Sequence, residues 1–200
     1  VLQVVATGVL LGLPAVAHGQ RLAWDGSVGR SGNSWRLAAA ALWEVRLGSR
    51  IRLAAGPRVT RFGGDARRYR THDEPPAGLA SRIALAPEVW ALNLAVSGEV
   101  SLVGPLAAGA NLDLAGVAAG ASRRAGAERL GPARWSLFLY GDRDRGSLNS
   151  EYYVTVAPGR SFRLRAGVSH YVTGYRVAGG SRARYLRFDT VPFLALRWVP

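Results

Sequence analysis

A nucleophilic hydroxyl needs a base within reach, and Ser169-His170-Tyr171-Val172-Thr173-Gly174 sets a histidine among hydroxyl-bearing residues. In an extended chain His170 and Val172 share one face, while Ser169 and Thr173 take the other. The position two along from His170 therefore carries an isopropyl group with nothing to activate. The string predicts a histidine near an outer rim, and no catalytic residue is expected. Asp142-Arg143-Asp144-Arg145-Gly146-Ser147 has two acids before a glycine but lacks the third acid and terminal Glu of a calcium loop, so a polar turn with local Asp–Arg pairs is expected. His72, Asp73 and Glu74 precede Pro75-Pro76 without a second histidine cluster, and cysteine is absent, so neither a metal site nor a cofactor is expected. Gly63-Gly64 and Gly179-Gly180 have no following Lys or helix and read as turns rather than phosphate loops.

Arginine carries the remaining chemistry. All 26 basic residues are Arg, against 13 acids, for a net charge of +13. Such a chain meets anions: nucleic acid, acidic glycan or lipid phosphate. Two patches stand out, Arg67, Arg68 and Arg70 around Tyr69, and Arg123 and Arg124 with Arg129 and Arg134 close by. Hydrophobic residues make up 48% of the chain, enough for a folded domain, yet mean hydropathy is only +0.05. Past the N-terminus no apolar run is long enough for a membrane helix. Alternation of apolar and polar residues reconciles the two figures.

Residues 1–19 read as a secretory signal: an apolar stretch from Val4 to Val16, then Ala15-Val16-Ala17 or Ala17-His18-Gly19 for cleavage. The charged n-region is expected upstream of Val1. A buried N-terminal helix is the alternative. Residues 20–200 form one domain with period-two alternation over 21–30, 34–47, 50–62, 89–102, 106–119, 149–157, 161–175 and 186–198, which makes eight strands. Short connections at Gly48-Ser49, Gly104-Pro105 and 158–160 alternate with long ones at 63–88, 120–148 and 176–183; the first outer connection, 31–33, is short as well. The stretch 134–140 is assigned to the third outer connection as an extension of the wall, with ten strands as the alternative. The expected fold is an all-β, antiparallel up-and-down transmembrane barrel.

Period two also sorts the side chains. Trp90, Leu92, Leu94, Phe162, Leu164, Leu194, Leu196 and Trp198 belong to one face, which we place against lipid. The opposite face carries Arg36, Glu44, Arg46, Arg52, Arg58, Glu99, Asp113, Glu151, Arg163, Arg165, Arg187, Asp189 and Arg197. In an eight-stranded barrel the lumen is just wide enough for such side chains to fill it, cross-linked through Arg–carboxylate pairs. Trp24, Trp35, Trp43, Trp90, Tyr152, Tyr175, Tyr185 and Trp198 near strand ends are expected in interfacial girdles. A lipocalin-like soluble barrel would reverse the two faces. Parity alone does not choose; the leader and the loop asymmetry do.

With its leader, short turns, basic outer loops and closing segment LRFDTVPFLALRWVP, the chain resembles small outer-membrane β-barrel proteins of Gram-negative bacteria: uncharacterised barrels of Bacteroidetes and the outer-membrane protein X and A class. Such barrels usually end in an aromatic residue that the insertion machinery reads; here Val199 and Pro200 follow Trp198. The resemblance implies an outer-membrane location, the insertion machinery as a partner and a monomer. Arg67, Arg68, Arg70, Arg123 and Arg124 would then contact phosphates of outer-membrane lipid and lipopolysaccharide rather than nucleic acid. The expected role is non-enzymatic, structural or surface-interacting. The alternatives are a narrow anion-favouring pore and an acyl hydrolase modifying lipid A, because the string around His170 also resembles the His-x-Ser segment of outer-membrane lipid A deacylases.

Overall fold

The computed structural model describes residues 18–71, 73–75, 77–137, 148–178 and 183–200. The leader expected over 1–19 lies outside them except for His18 and Gly19, which open the first strand. His72, the Asp142–Ser147 turn and Gly179-Gly180 also lie outside the described residues.

Eight long strands form the wall: β1 (His18–Ser31), β2 (Ser34–Leu47), β3 (Ile51–Gly64), β6 (Glu88–Ser101), β7 (Leu106–Gly120), β11 (Leu148–Val156), β12 (Phe162–Val177) and β13 (Arg184–Trp198). Each pairs antiparallel with its neighbour, and β13 closes the ring by pairing with β1 as well as β12. Register at the seam runs from Trp24 opposite Trp198 to Gly29 opposite Phe193. Closure leaves no free edge among the spanning strands. The fold is an all-β, closed eight-stranded antiparallel barrel.

The first connection shows how local chemistry sets register. Ser31 pairs with Ser34 across the two-residue turn Gly32-Asn33, and Gly32 has φ 55°. A two-residue hairpin needs a positive φ at its first central position to match the twist of the strands, and glycine adopts it without strain. The alanine run 37–42 lies within β2 because its flanks, Trp35 and Trp43, hold the alternation on both sides. In β7, Leu94 pairs with Ala115 and Ala95 with Asp113, so Leu114 is an extra residue. This bulge moves the inward positions from Asn111 and Asp113 to Gly116 and Ala118. The close-packed wall needs Gly116: a Cβ there would lie 1.8 Å from Asn93 Oδ1 and 2.4 Å from the Leu92 carbonyl.

The long outer connections contain strands of their own. β4 (Arg67–Arg70) and β5 (Arg82–Leu85) form one hairpin, and β8 (Arg123–Ala125) and β9 (Glu128–Pro132) form another. The first is tied to β13 at Leu186 opposite Arg70, and the second to β12 through Pro132, Gly131 and Leu130. β10 (Trp135–Leu137) pairs with the upper end of β7. The stretch 134–140 thus extends the wall within its described part, and the spanning strands remain eight. Both hairpins raise the rim at the end away from the termini.

Candidate functional site: a charge-filled lumen and an arginine-bearing outer end

The outer wall is greasy along its length. Val28, Leu37, Leu92, Leu94, Val154, Leu164, Leu194 and Leu196 are all exposed, with Leu194 at 65%. Trp24, Trp43, Phe162 and Trp198 stand near the end that carries the termini, while Trp35 and Trp90 stand near the other. There the Arg61 guanidinium lies between the Trp35 and Trp90 rings, 5.2 and 5.1 Å from their centroids. Tyr175 and Tyr185, expected in the girdle, are instead fully buried inside. Period-two parity puts Tyr175 with Arg163 and Arg165 and Tyr185 with Arg187 and Asp189, so both face inward from their own strands, and the hairpins pack Tyr69, Ile83, Leu85 and Leu130 against them.

The charges face inward. Glu151 is the hub. It accepts from Arg36 Nη1 at 2.5 Å, from Asn111 Nδ2 at 2.5 Å and from Asn149 Nδ2 at 3.0 Å, with Arg58 Nη1 at 3.2 Å. Arg36 donates also to Ser27 Oγ, 2.6 Å, and its guanidinium lies 5.3 Å from the Phe193 ring centroid. Asp113 accepts from Arg58, from Asn93 Nδ2 at 2.7 Å and from the Asn149 backbone N–H at 3.0 Å. Asp25 accepts from Arg165 Nη2 at 2.5 Å and from Arg197 Nε at 2.9 Å. Towards the termini Arg163 forks onto Glu44, Arg52 binds Glu99, and Thr155 Oγ1 donates to Glu99 at 2.6 Å. Arg187 pairs with Asp189 at 2.8 Å higher on β13. Most of these carboxylates therefore take several donors, which is the condition for a buried ion pair to offset its desolvation.

Arg46 is corrected. It shares inward parity with Glu44 but is exposed beside the Gly48 turn, at the end of the wall. Arg52 and Arg187 lie only part-way inside, with side chains 15% and 24% exposed. The sequence reading missed Asp25 and the neutral partners Ser27, Asn111, Asn149 and Thr155, while Asn93 and Ser169, on the inner face by parity, gain their partners only in the closed barrel. Asp25 was legible, since it shares parity with buried Ala23 and Ser27 on β1. Among the described residues the lumen holds seven guanidiniums (Arg36, Arg52, Arg58, Arg163, Arg165, Arg187, Arg197) against six carboxylates (Asp25, Glu44, Glu99, Asp113, Glu151, Asp189). Among the described residues, therefore, nearly all of the surplus positive charge lies outside it.

Above the charges the interior turns apolar. Phe62 stacks on Tyr171 at 4.7 Å, and beyond them Tyr69, Ile83, Leu85, Val89, Leu130, Tyr175 and Tyr185 pack as one cluster. The Tyr69 hydroxyl is 2.8 Å from Thr173 Oγ1, and burial pushes it above the usual phenol range. Within the ring of charges a cavity bounded by Asp25, Ala40, Arg58, Ser97, Asn111 and Glu151 measures about 10 Å³. That is room for one water at most.

His170 points outward, as its parity requires. Its ring stacks on Phe188 at 5.4 Å and meets Tyr152 edge-on at 6.0 Å, and Nδ1 is 2.9 Å from Thr190 Oγ1 on the neighbouring strand. The hydroxyl that Val172 lacks is thus supplied from β13. Ser169 and Thr173 are buried inside. Among the described residues no group of three His, Cys, Asp or Glu side chains could hold a metal.

Of the five outer arginines, Arg68, Arg70 and Arg124 are exposed. Arg67 and Arg123 are half-buried and already engaged: Arg67 Nη2 donates to the Ser31 carbonyl at 3.3 Å, Arg123 Nε to the Ala86 carbonyl at 2.9 Å, and Arg123 Nη2 to Glu88 at 3.1 Å. All five sit on the short strands of the hairpins rather than in irregular loop.

A closed wall that turns its leucines out and meets its arginines within is the reverse of a soluble barrel and has the build of a small outer-membrane β-barrel. Among solved structures, the fold is similar to the crystal structure of Neisserial surface protein A over 91% of this chain and 97% of that one, at 12% identity and a TM-score of 0.43. It is similar also to outer-membrane expressed OmpT of Vibrio cholerae over 88% of this chain and 64% of that one, at 13% identity and a TM-score of 0.22. No protein-family model and no curated protein matches the chain.

Proposed function

We propose that this chain is a non-enzymatic outer-membrane barrel with a shut lumen, serving a structural or surface-interaction role through an arginine-rich outer end that meets phosphates of lipopolysaccharide. The observation that carries the reading is the interior itself. Crossed ion pairs fill the middle, the aromatic cluster fills the outer third, and the cavity between the charges is about 10 Å³. The greasy outer face supports a lipid surrounding, because a monomer in water rarely shows so large a continuous apolar surface. The experiment is single-channel recording on the full chain in planar bilayers, after a heat-modifiable band confirms the folded barrel in outer-membrane fractions. No discrete steps are expected. Stable steps would overturn the shut lumen and favour the anion-selective pore.

The His170–Thr190 contact favours a second reading, an acyl hydrolase acting on membrane lipid, since a histidine nitrogen 2.9 Å from an outward hydroxyl is the start of a nucleophilic pair. Against it, no carboxylate hydrogen bonds His170 among the described residues, and its ring is held by Phe188. Mass analysis of lipid A after incubation decides: acyl loss abolished by both His170→Ala and Thr190→Val supports the enzyme, and unchanged lipid removes it.

A further inference from the structure

The two hairpins that raise the outer wall share a feature that weakens them. In the first, Arg70 stands directly across from Arg82; in the second, Arg124 stands directly across from Arg129. Directly opposite residues of an antiparallel pair bring their Cβ atoms within about 4.5–5.5 Å, and like charges there are destabilising. All four side chains are exposed, and Arg68 adds a fifth guanidinium on the same face as Arg70. Among the described residues none of these five is within ion-pair distance of a carboxylate. Nearby the chain does supply one, since Glu88 is shared by Arg61 at 3.5 Å and Arg123 at 3.1 Å.

The opposite faces of the hairpins keep both pairs in place. Tyr69, Ile83 and Leu85 anchor one ribbon in the apolar cluster and Leu130 anchors the other, so the guanidiniums stand on rigid backbone. Two planar, permanently charged forks side by side match the oxygens and the double charge of a phosphate monoester.

We propose that each opposed pair, Arg70 with Arg82 and Arg124 with Arg129, is a binding site for a phosphomonoester dianion at the outer rim. This rests on the proposed surface-phosphate contact and narrows it to these residues, adding Arg82 and Arg129. Either a soluble phosphate or a lipid headgroup can supply the chemistry.

The test uses the full chain folded in phosphatidylcholine vesicles at low salt, titrated with inorganic phosphate, and in parallel vesicles containing phosphatidic acid. Thermal unfolding is the readout. The wild type is expected to melt higher with phosphate, R70Q/R82Q and R124Q/R129Q each to lose about half of that rise because one of the two sites remains, and the quadruple variant to lose it whole. Without phosphate both double variants are expected to melt at or above the wild type, because the repulsion has gone. A response to inorganic phosphate identifies a soluble ligand, and a response only to phosphatidic acid identifies a lipid headgroup. The proposal is overturned by an unchanged phosphate response in both variants, by variants that melt lower than wild type without phosphate, or by a response that follows Arg67→Gln and Arg123→Gln instead. Conductance is measured separately, so failure here leaves the shut lumen standing, and the reverse holds as well.

Discussion

Replacing Glu151 by Gln keeps the shape of the hub and removes its charge. Of the arginines around it, Arg58 retains Asp113 and Arg165 retains Asp25, but among the described residues Glu151 is the only carboxylate in ion-pair contact with Arg36. Arg36 is fully buried under the Phe193 ring, so the substitution strands one guanidinium out of reach of solvent. Breaking a buried pair from one side costs about 3–5 kcal/mol, because the remaining charge has lost both water and its partner. The assay is reversible urea unfolding in short-chain lipid vesicles, followed by fluorescence of the 6 tryptophans. A fall in that range is expected, and it should persist in high salt, since buried charges are poorly screened. The matched control is Arg36→Met with Glu151→Leu, which removes both charges and should recover more than half of the loss. A loss below about 1 kcal/mol for Glu151→Gln would refute the reasoning, and so would a double variant as unstable as the two single changes added together.

Three further outcomes test the wall. Leu94→Arg, on the exposed mid-wall of β6, should cost about 2–4 kcal/mol of stability in vesicles, whereas the same change on an outward position at the terminal end, Val156→Arg, should cost about 1 kcal/mol or less; equal urea midpoints would argue against a lipid-facing band. Gly116→Val should lower stability by about 1–3 kcal/mol, because its Cβ meets Asn93 and the Leu92 carbonyl while Asn93 holds Asp113; an unchanged midpoint would show that the wall opens there. Tyr69→Ala removes the anchor of the β4–β5 hairpin, and limited proteolysis should then cut within 65–87 while the heat-modifiable band of the barrel persists; equal cleavage of wild type and variant would deny the hairpin its docked position.

Much of this protein was written in its alternation. Strand number, turn positions and the two faces followed from period-two spacing because a strand has only two sides, and a residue two places along must return to the same one. Arg36, Arg58, Glu99, Asp113, Glu151, Arg163, Arg165 and Arg197 all lie on the inner face that this spacing gives them. What spacing could not supply was partnership. Arg36 meets Glu151 across 115 residues, and Arg165 meets Asp25 across 140, because ring closure brings β1, β2, β11 and β12 around one axis. Likewise the bulge at Leu114 switches parity without a local mark, the hairpins bring the apolar partners of Tyr175 and Tyr185, and the hydroxyl beside His170 arrives from β13. One chain's periodicity determines which side of a strand a residue takes; only the closed tertiary structure decides what stands opposite it, since that depends on the register and curvature of strands far apart in sequence.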